Sequence, residues 1–406
     1  MFIVHVNFDD GITGGATIAA RRIFQAGVLA GHDAVFVCRQ QTAMPGTFRS
    51  LRHPDSAFAR ATLTARRRLT YAPIRPFLRE IYAVNWVRVG TAAFVNDLRP
   101  DIVHLHWVKG DTISVEEVAE IRSPIVWSLH DLWPCLGLES YPSGTPLRGV
   151  KGLVDRWVRR RKRVAFVRRD MFPVGPSRWC AEQAATSEVF RSATIGMIPY
   201  PVDTVAFAPR PRPEARRRFG LSADAYVVAF GANNGTRWRI KGFDRLADAI
   251  ARLDSDIRER MAIVVFGEAG EPRQLHGSRL TFAGRLTDAE SMAELYSAAD
   301  VFALPSRQET FGQTKSEALS CGTPVIAFGQ TACGEGIQHG ATGWVARADD
   351  IADYAEGLRW GWQLTRDATR QQAVRQATRQ SAVADFSMAA VSRRWDDWYR
   401  MVAARG

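Results

Sequence analysis

Apolar positions along this chain recur with two different periods, and the switches between them mark out its elements. Residues 1–8, MFIVHVNF, read as a strand, residues 17–30 as a helix stopped by Gly31, and residues 33–38 as a second strand. Further strands are predicted at 101–107, 125–130, 172–177 and 195–199, with helices at 115–121 and 178–190 between them. The pattern then restarts, with strands at 226–230, 261–267, 280–284, 301–304, 324–328 and 341–345. Helices are predicted at 244–253, 313–320, 351–358 and 388–404. Strands that alternate with helices belong to an α/β chain with parallel sheets. Two such series in 406 residues predict two doubly wound, Rossmann-like domains, over 1–203 and 204–387. Residues 204–221, rich in proline and arginine, read as the linker between them. The polar, glutamine- and arginine-rich stretch after 358 yields no element.

Candidate chemistry gathers in residues 300–328. A buried strand ends at Pro305 and Ser306, a loop follows, and Gly312 opens a helix. In an open parallel sheet, a strand end followed by a helix N-terminus is where anionic ligands sit. The backbone amides of Phe311, Gly312, Gln313 and Thr314 would face a phosphate there. Glu309 in the loop and Glu317 in the helix would reach hydroxyl groups beside it. The outline is that of a sugar-nucleotide site.

The order Ser306, Glu309, Phe311, Gly312, Glu317, Gly322, Pro324, Val325 resembles the PSxxExFGxxxxEAxxxGxPV signature of retaining glycosyltransferases of the GT-B architecture, family 4. The resemblance implies the GT-B fold, two Rossmann-like domains with a cleft between them. The first would serve the acceptor and the second the nucleotide sugar, and the helix 388–404 would dock back on the first domain through Trp395, Trp398 and Tyr399. It also implies roles. Glu309 would hold sugar hydroxyls near the reacting carbon, Glu317 the ribose, and Lys241 the departing diphosphate. The family's companion arginine is replaced by Ala232, which leaves Arg237 or Arg239 to reach the phosphate. His130, in the pair His130–Asp131, would orient the donor sugar, and Gly14 and Gly15 match the glycine loop after the first strand. PYPVD at 199–203 departs from the family's turn at Tyr200 and Pro201. The donor is expected to be UDP- or GDP-linked, with no cofactor and no metal. HLHW, HDLWPCLG and the order FGANNGT, KG, FAGR are similar to bacterial exopolysaccharide and colanic-acid-type members. That likeness implies transfer to a lipid-linked or nascent oligosaccharide. GT-B folds also carry sugar-nucleotide epimerases and phosphorylases, which fold alone does not separate from transferases.

Charge adds a partner question. The net charge is +12, carried by arginines and only five lysines. One cluster is Arg66–Arg68, and another lies on the predicted helix within 153–172, with Val154, Trp157, Val158, Val164 and Ala165 at roughly helical spacing. These cations are either simply solvated or directed at an anionic membrane surface. No module of the known nucleic-acid-binding types is visible, so no nucleic-acid partner is expected, although a basic binding protein is the rival class. His104 and His106, two apart in a strand, share a face and read as packing or cleft-lining residues. A metal there would need a third ligand. The one D-x-D, Asp254–Asp256, follows a helix and reads as a solvated turn. Five cysteines without a C-x-x-C pair suit reduced thiols, and the start MFIVHV does not resemble a signal peptide. The expected location is cytoplasmic, with peripheral contact at the inner face of the membrane.

Overall fold

The computed structural model describes residues 1–11, 14–40, 48–50, 64–65, 68–69, 71–72, 83–142, 144–231 and 235–405. The chain divides into two units, Met1–Ile198 with Ser392–Gly406, and Pro199–Val391. Arg66 and Arg67 of the first basic cluster, and Ala232, lie outside the described residues.

Unit 1 holds β1 (Phe2–Asp9), β2 (Asp33–Gln40), β3 (Phe48–Ser50), β4 (Ile102–Leu105), β5 (Ile125–Ser128), β6 (Met171–Gly175) and β7 (Gly196–Met197). Their order is β3-β2-β1-β4-β5-β6-β7, parallel throughout. β4 and β5 are buried at every position, His104 and Ser128 included, which is why they do not alternate between apolar and polar residues. The core packs Val4, Val6, Val103, Leu105, Ile125 and Trp127 against the covering helices.

Unit 2 holds β8 (Tyr226–Gly231), β9 (Met261–Phe266), β10 (Arg273–Leu275), β11 (Ser278–Gly284), β12 (Val301–Leu304), β13 (Val325–Phe328) and β14 (Gly343–Ala346). The order is β10-β11-β9-β8-β12-β13-β14, and only the short edge strand β10 runs antiparallel. In both sheets the strand order reverses beside the first strand, between β1 and β4 and between β8 and β12. Loops at such a reversal diverge and leave room for a ligand.

Three sequence expectations are corrected. The stretch read as a linker contains the helix Arg212–Arg218, and it is fastened to unit 2. Arg216 and Arg212 both pair with the buried Asp300, Arg216 Nη2 at 2.8 Å from Oδ2. The polar stretch after 358 forms the helix Ala368–Phe386, capped by Asp367. Its buried face is Val374, Arg375, Thr378, Ala382 and Phe386, so no apolar stripe betrayed it. Arg375 satisfies its guanidinium on the carbonyls of Ala299 and Ser297. In the basic helix, Gly149–Phe166, Val158 and Ala165 are buried as their spacing suggests, but Val164 is exposed and Lys162 is fully buried.

From Ser392 onward the helix Met388–Ala403 belongs to unit 1. Trp395 and Tyr399 are buried there, and Trp398 lies against Gly196. No helix among the described residues is long and apolar enough to cross a membrane.

Candidate active site

The reversal in unit 2 brings the loop after β8 beside the loop after β12. Arg239–Lys241 forms one 3-10 turn, and Gly242, in the left-handed region at φ 74°, starts the helix Phe243–Ile250. Only glycine fits here, because a Cβ would stand 2.1 Å from the carbonyl oxygen of Pro305. The two loops are tied further by Arg307, whose backbone N–H donates to Ile240 O at 2.8 Å and whose guanidinium grips Asp244 in two bonds.

That close approach places Lys241 Nζ 2.7 Å from Glu309 Oε1. Ser306 Oγ donates to the same oxygen at 2.9 Å, and the Glu309 backbone N–H donates to Thr331 Oγ1. The glutamate is 8% exposed, so its charge is held by a cation and a hydroxyl rather than by bulk water. Phe311 is buried against Tyr200 at 4.9 Å and Phe386 at 5.6 Å, which anchors the loop just before the helix. Gly312 takes the left-handed conformation at φ 82°, and the helix Gln313–Ser320 begins with Gln313 and Thr314 half-buried. Within that helix, Glu317 accepts from the hydroxyl of Tyr296 at 3.3 Å. Arg237 and Arg239 are both exposed.

Lys315 is a residue that pattern reading missed. It is buried one turn into this helix, where its ammonium donates to the carbonyls of Ala332 and Glu335. Burial lowers its pKa to about 8, opposed mainly by Cys333 and Glu335. It pins the loop that follows β13 against the first turn of the helix Gln313–Ser320.

The remaining predicted residues belong to unit 1. Gly14 sits at φ 105° before the helix Gly15–Leu29. His130 lines a small recess with His106, Trp107, Lys109, Asp131 and Trp133. Asp131 is fixed on several sides there, by Lys109 Nζ at 2.7 Å, the Trp107 indole at 3.1 Å and the Trp133 backbone N–H at 2.9 Å. Lys162 reaches this loop from below and donates to the carbonyls of Trp133, Leu136 and Gly137. Burial lowers its pKa well below the ordinary lysine value. His104 and His106 are buried, and the fold adds His5 beside them from β1, a third imidazole that no local spacing could reveal. Asp254 and Asp256 are exposed at the start of the helix Ser255–Arg260.

Residues 225–363 match the family described as glycosyl transferases group 1. The chain is 35% identical over 178 residues to a D-inositol 3-phosphate glycosyltransferase of Geodermatophilus obscurus. That match covers 40% of this chain and 39% of the relative, so the chain spans about two fifths of the relative's length. Among solved structures, sucrose-phosphate synthase from Thermosynechococcus elongatus superposes over all of both chains with a TM-score of 0.69 at 18% identity. The Anabaena protein HepE, in complex with UDP and glucose, superposes over 98% of this chain and 99% of its own, with a TM-score of 0.63 at 14% identity. The fold is GT-B, two Rossmann-like parallel sheets flanked by helices.

Proposed function

We propose that the protein is a retaining glycosyltransferase that moves a sugar, of hexosyl type, from a nucleoside-diphosphate donor. The observation that carries this reading is the 2.7 Å pair of Lys241 and Glu309, held at the sheet reversal of unit 2 beside a helix start. In the reaction the bond between the sugar's anomeric carbon and the diphosphate oxygen breaks, and a bond from an acceptor hydroxyl oxygen forms on the same face. The acceptor's proton passes to the leaving diphosphate. Lys241 and the amides at Gly312–Thr314 stabilise the charge that builds on the leaving group, and Arg237 or Arg239 supplies the further cation. Glu309 favours the positive character at the sugar carbon, Glu317 holds the ribose, and His130 orients the donor sugar. These interactions accelerate the step only as far as they strengthen in the transition state. With cations already in the loop, no divalent ion is needed, and chelation is expected to leave the rate unchanged. The HepE complex supports a UDP-linked sugar as the first donor to try.

The acceptor is a lipid-linked or nascent oligosaccharide of bacterial surface or exopolysaccharide synthesis. The outer face of the helix Gly149–Phe166 supports this choice. Leu153 (60% exposed), Val164 (46%) and the following Val167 (74%) stand among the exposed Arg156, Arg160 and Arg163. Apolar groups set among cations suit an anionic membrane surface, where each cation contributes about 1 kcal/mol. A second reading takes a small phosphorylated polyol as acceptor, and the likeness to D-inositol 3-phosphate glycosyltransferases favours it.

The test begins with thermal shifts under UDP, GDP and their sugars, since a ligand of the folded state raises its melting point. Release of nucleoside diphosphate is then followed with and without each acceptor. Full transfer activity in Glu309→Gln would remove that residue from the mechanism. Release that ignores every acceptor would favour hydrolysis, and conversion of the nucleotide sugar without net release of diphosphate would favour an epimerase. Flotation with phosphatidylglycerol but not phosphatidylcholine vesicles is expected, and equal recovery from both would discard the membrane contact.

A further inference from the structure

Glu309 is held by more than its cation. Both hydrogen bonds that its carboxylate accepts among the described residues end on one oxygen, Oε1, from Lys241 Nζ at 2.7 Å and Ser306 Oγ at 2.9 Å. Oε2 accepts neither of them and is not sealed in the interior. The backbone of Glu309 is clasped as well, by the loop after β13. Its N–H donates to Thr331 Oγ1 at 3.2 Å, and its carbonyl accepts from the Ala332 N–H at 3.3 Å. Lys315 anchors that loop in turn, through the carbonyls of Ala332 and Glu335.

Four of these groups close into a ring in which every donor points the same way round. The Glu309 N–H goes to Thr331 Oγ1, and the Thr331 hydroxyl to Cys333 Sγ at 3.4 Å. The Cys333 thiol goes to the Ser306 carbonyl at 3.5 Å, and the Ser306 hydroxyl back to Glu309. A hydroxyl and a thiol each carry one hydrogen, and the ring uses each once. Cys333 is fully buried, and burial beside the Glu309 charge pushes its thiol up to about 12, so the hydrogen stays on sulfur. The ring is strained at Thr331, whose φ of 54° lies in the left-handed region that a β-branched residue rarely enters. Strain of this kind persists where the surroundings over-determine it, and it gathers at functional sites. Here the strained residue is the one whose hydroxyl meets the Glu309 N–H.

We propose that the ring aims Glu309, with Ser306 and Thr331 as positioning residues that commit Oε1 and the backbone and leave Oε2 to meet the ligand. Lys241 cannot serve this purpose alone, because an anion bound there competes for its ammonium. Ser306, only 1% exposed, is out of a ligand's reach and keeps its bond whether Lys241 is claimed or not. That the ligand is a transferred sugar, and the anion its leaving diphosphate, rests on the function proposed above, whereas the ring does not.

The experiment begins without ligand. Hydrogen exchange of the peptide that contains Glu309 should quicken in Thr331→Gly and stay as in the parent in Thr331→Ser, which keeps the hydroxyl. Equal exchange in the glycine variant and the parent would overturn the ring. Turnover of UDP-glucose is then followed by release of UDP, with UDP binding measured in parallel. Ser306→Ala and Thr331→Gly should lower kcat by about ten- to a hundredfold with little change in donor KM or UDP affinity, and Thr331→Ser should keep the parent's rate. In a Glu309→Ala background neither should lower kcat further, because no carboxylate remains to be aimed. Losses that multiply undiminished in that background, or full turnover in Ser306→Ala, would overturn the positioning role. Glycine suits a left-handed φ, so Thr331→Gly should melt no lower than Thr331→Ser. If it unfolds nonetheless, Ser306→Ala with and without Glu309→Ala decides. Full turnover in both Lys241→Met and Glu309→Ala would bring down the proposed function, whereas loss in those two with none in Ser306→Ala would bring down this inference alone.

Discussion

Mild acid should unfold unit 1 before unit 2. The four core histidines, His5, His104, His106 and His130, have folded-state pKa values depressed by burial, with His5 and His130 at about 3, against an ordinary value of 6.5. Between those limits the unfolded chain binds protons that the folded chain refuses. Their contribution is therefore complete above pH 6.5 and is lost as pH falls toward 3. At pH 5.5 each such imidazole costs on the order of 1 kcal/mol, and together they cost several kcal/mol, comparable with a domain's whole stability of about 5–15 kcal/mol. Carboxylates ordinarily titrate about a unit or more lower and contribute little in this window. Unit 2 lacks the liability, because its histidines, His276 and His339, are exposed. Urea unfolding at pH 7.5, 6.5 and 5.5, read by hydrogen exchange of peptides from each unit, separates the two. Peptides of β1, β4 and β5 should lose protection at lower urea as pH falls, while those of β8 and β12 hold. His32, also buried and lowered, adds to the slope, so His5→Asn should flatten it by about a fifth. An identical midpoint for unit 1 peptides at pH 7.5 and 5.5 would refute the reasoning.

Other perturbations test single contacts. Lys241→Met removes the cation from Glu309 and should lower kcat by about 10²–10³-fold in a nucleotide-release assay. A loss under threefold would take the lysine out of the leaving-group site. Gly242→Ala combines a left-handed φ with a clash on Pro305 O, and calorimetry should show about 2–3 kcal/mol of lost stability. An unshifted melting point would mean the two loops are not locked as described. Lys162→Met strips the donor from three loop carbonyls and should cost about 3–5 kcal/mol, measured by urea unfolding. A variant as stable as the parent would show that these carbonyls find other partners.

Much of the fold was legible because strand and helix periods are local properties. The runs at 226–230, 261–267 and 301–304 each became a buried strand, and Gly312 did open the helix after the Glu309 loop. The chain order of Ser306, Glu309, Gly312 and Glu317 carried the family likeness for the same reason, since one strand, loop and helix hold all four. Misreadings came where polarity and burial part company. Arg216, Arg375, Lys162 and Lys315 are charged yet buried, each with its hydrogen bonds met by carbonyls, joined in Arg216 by the Asp300 carboxylate.

What the sequence determined by itself was the succession of elements and the residue types at the strand ends. Strand order was decided in three dimensions, and with it the meeting of Lys241 with Glu309 across 68 positions and of His5 with His106 across 101. The physical reason is that periodicity records which face of an element is covered, whereas a hydrogen bond between distant residues depends on which element does the covering.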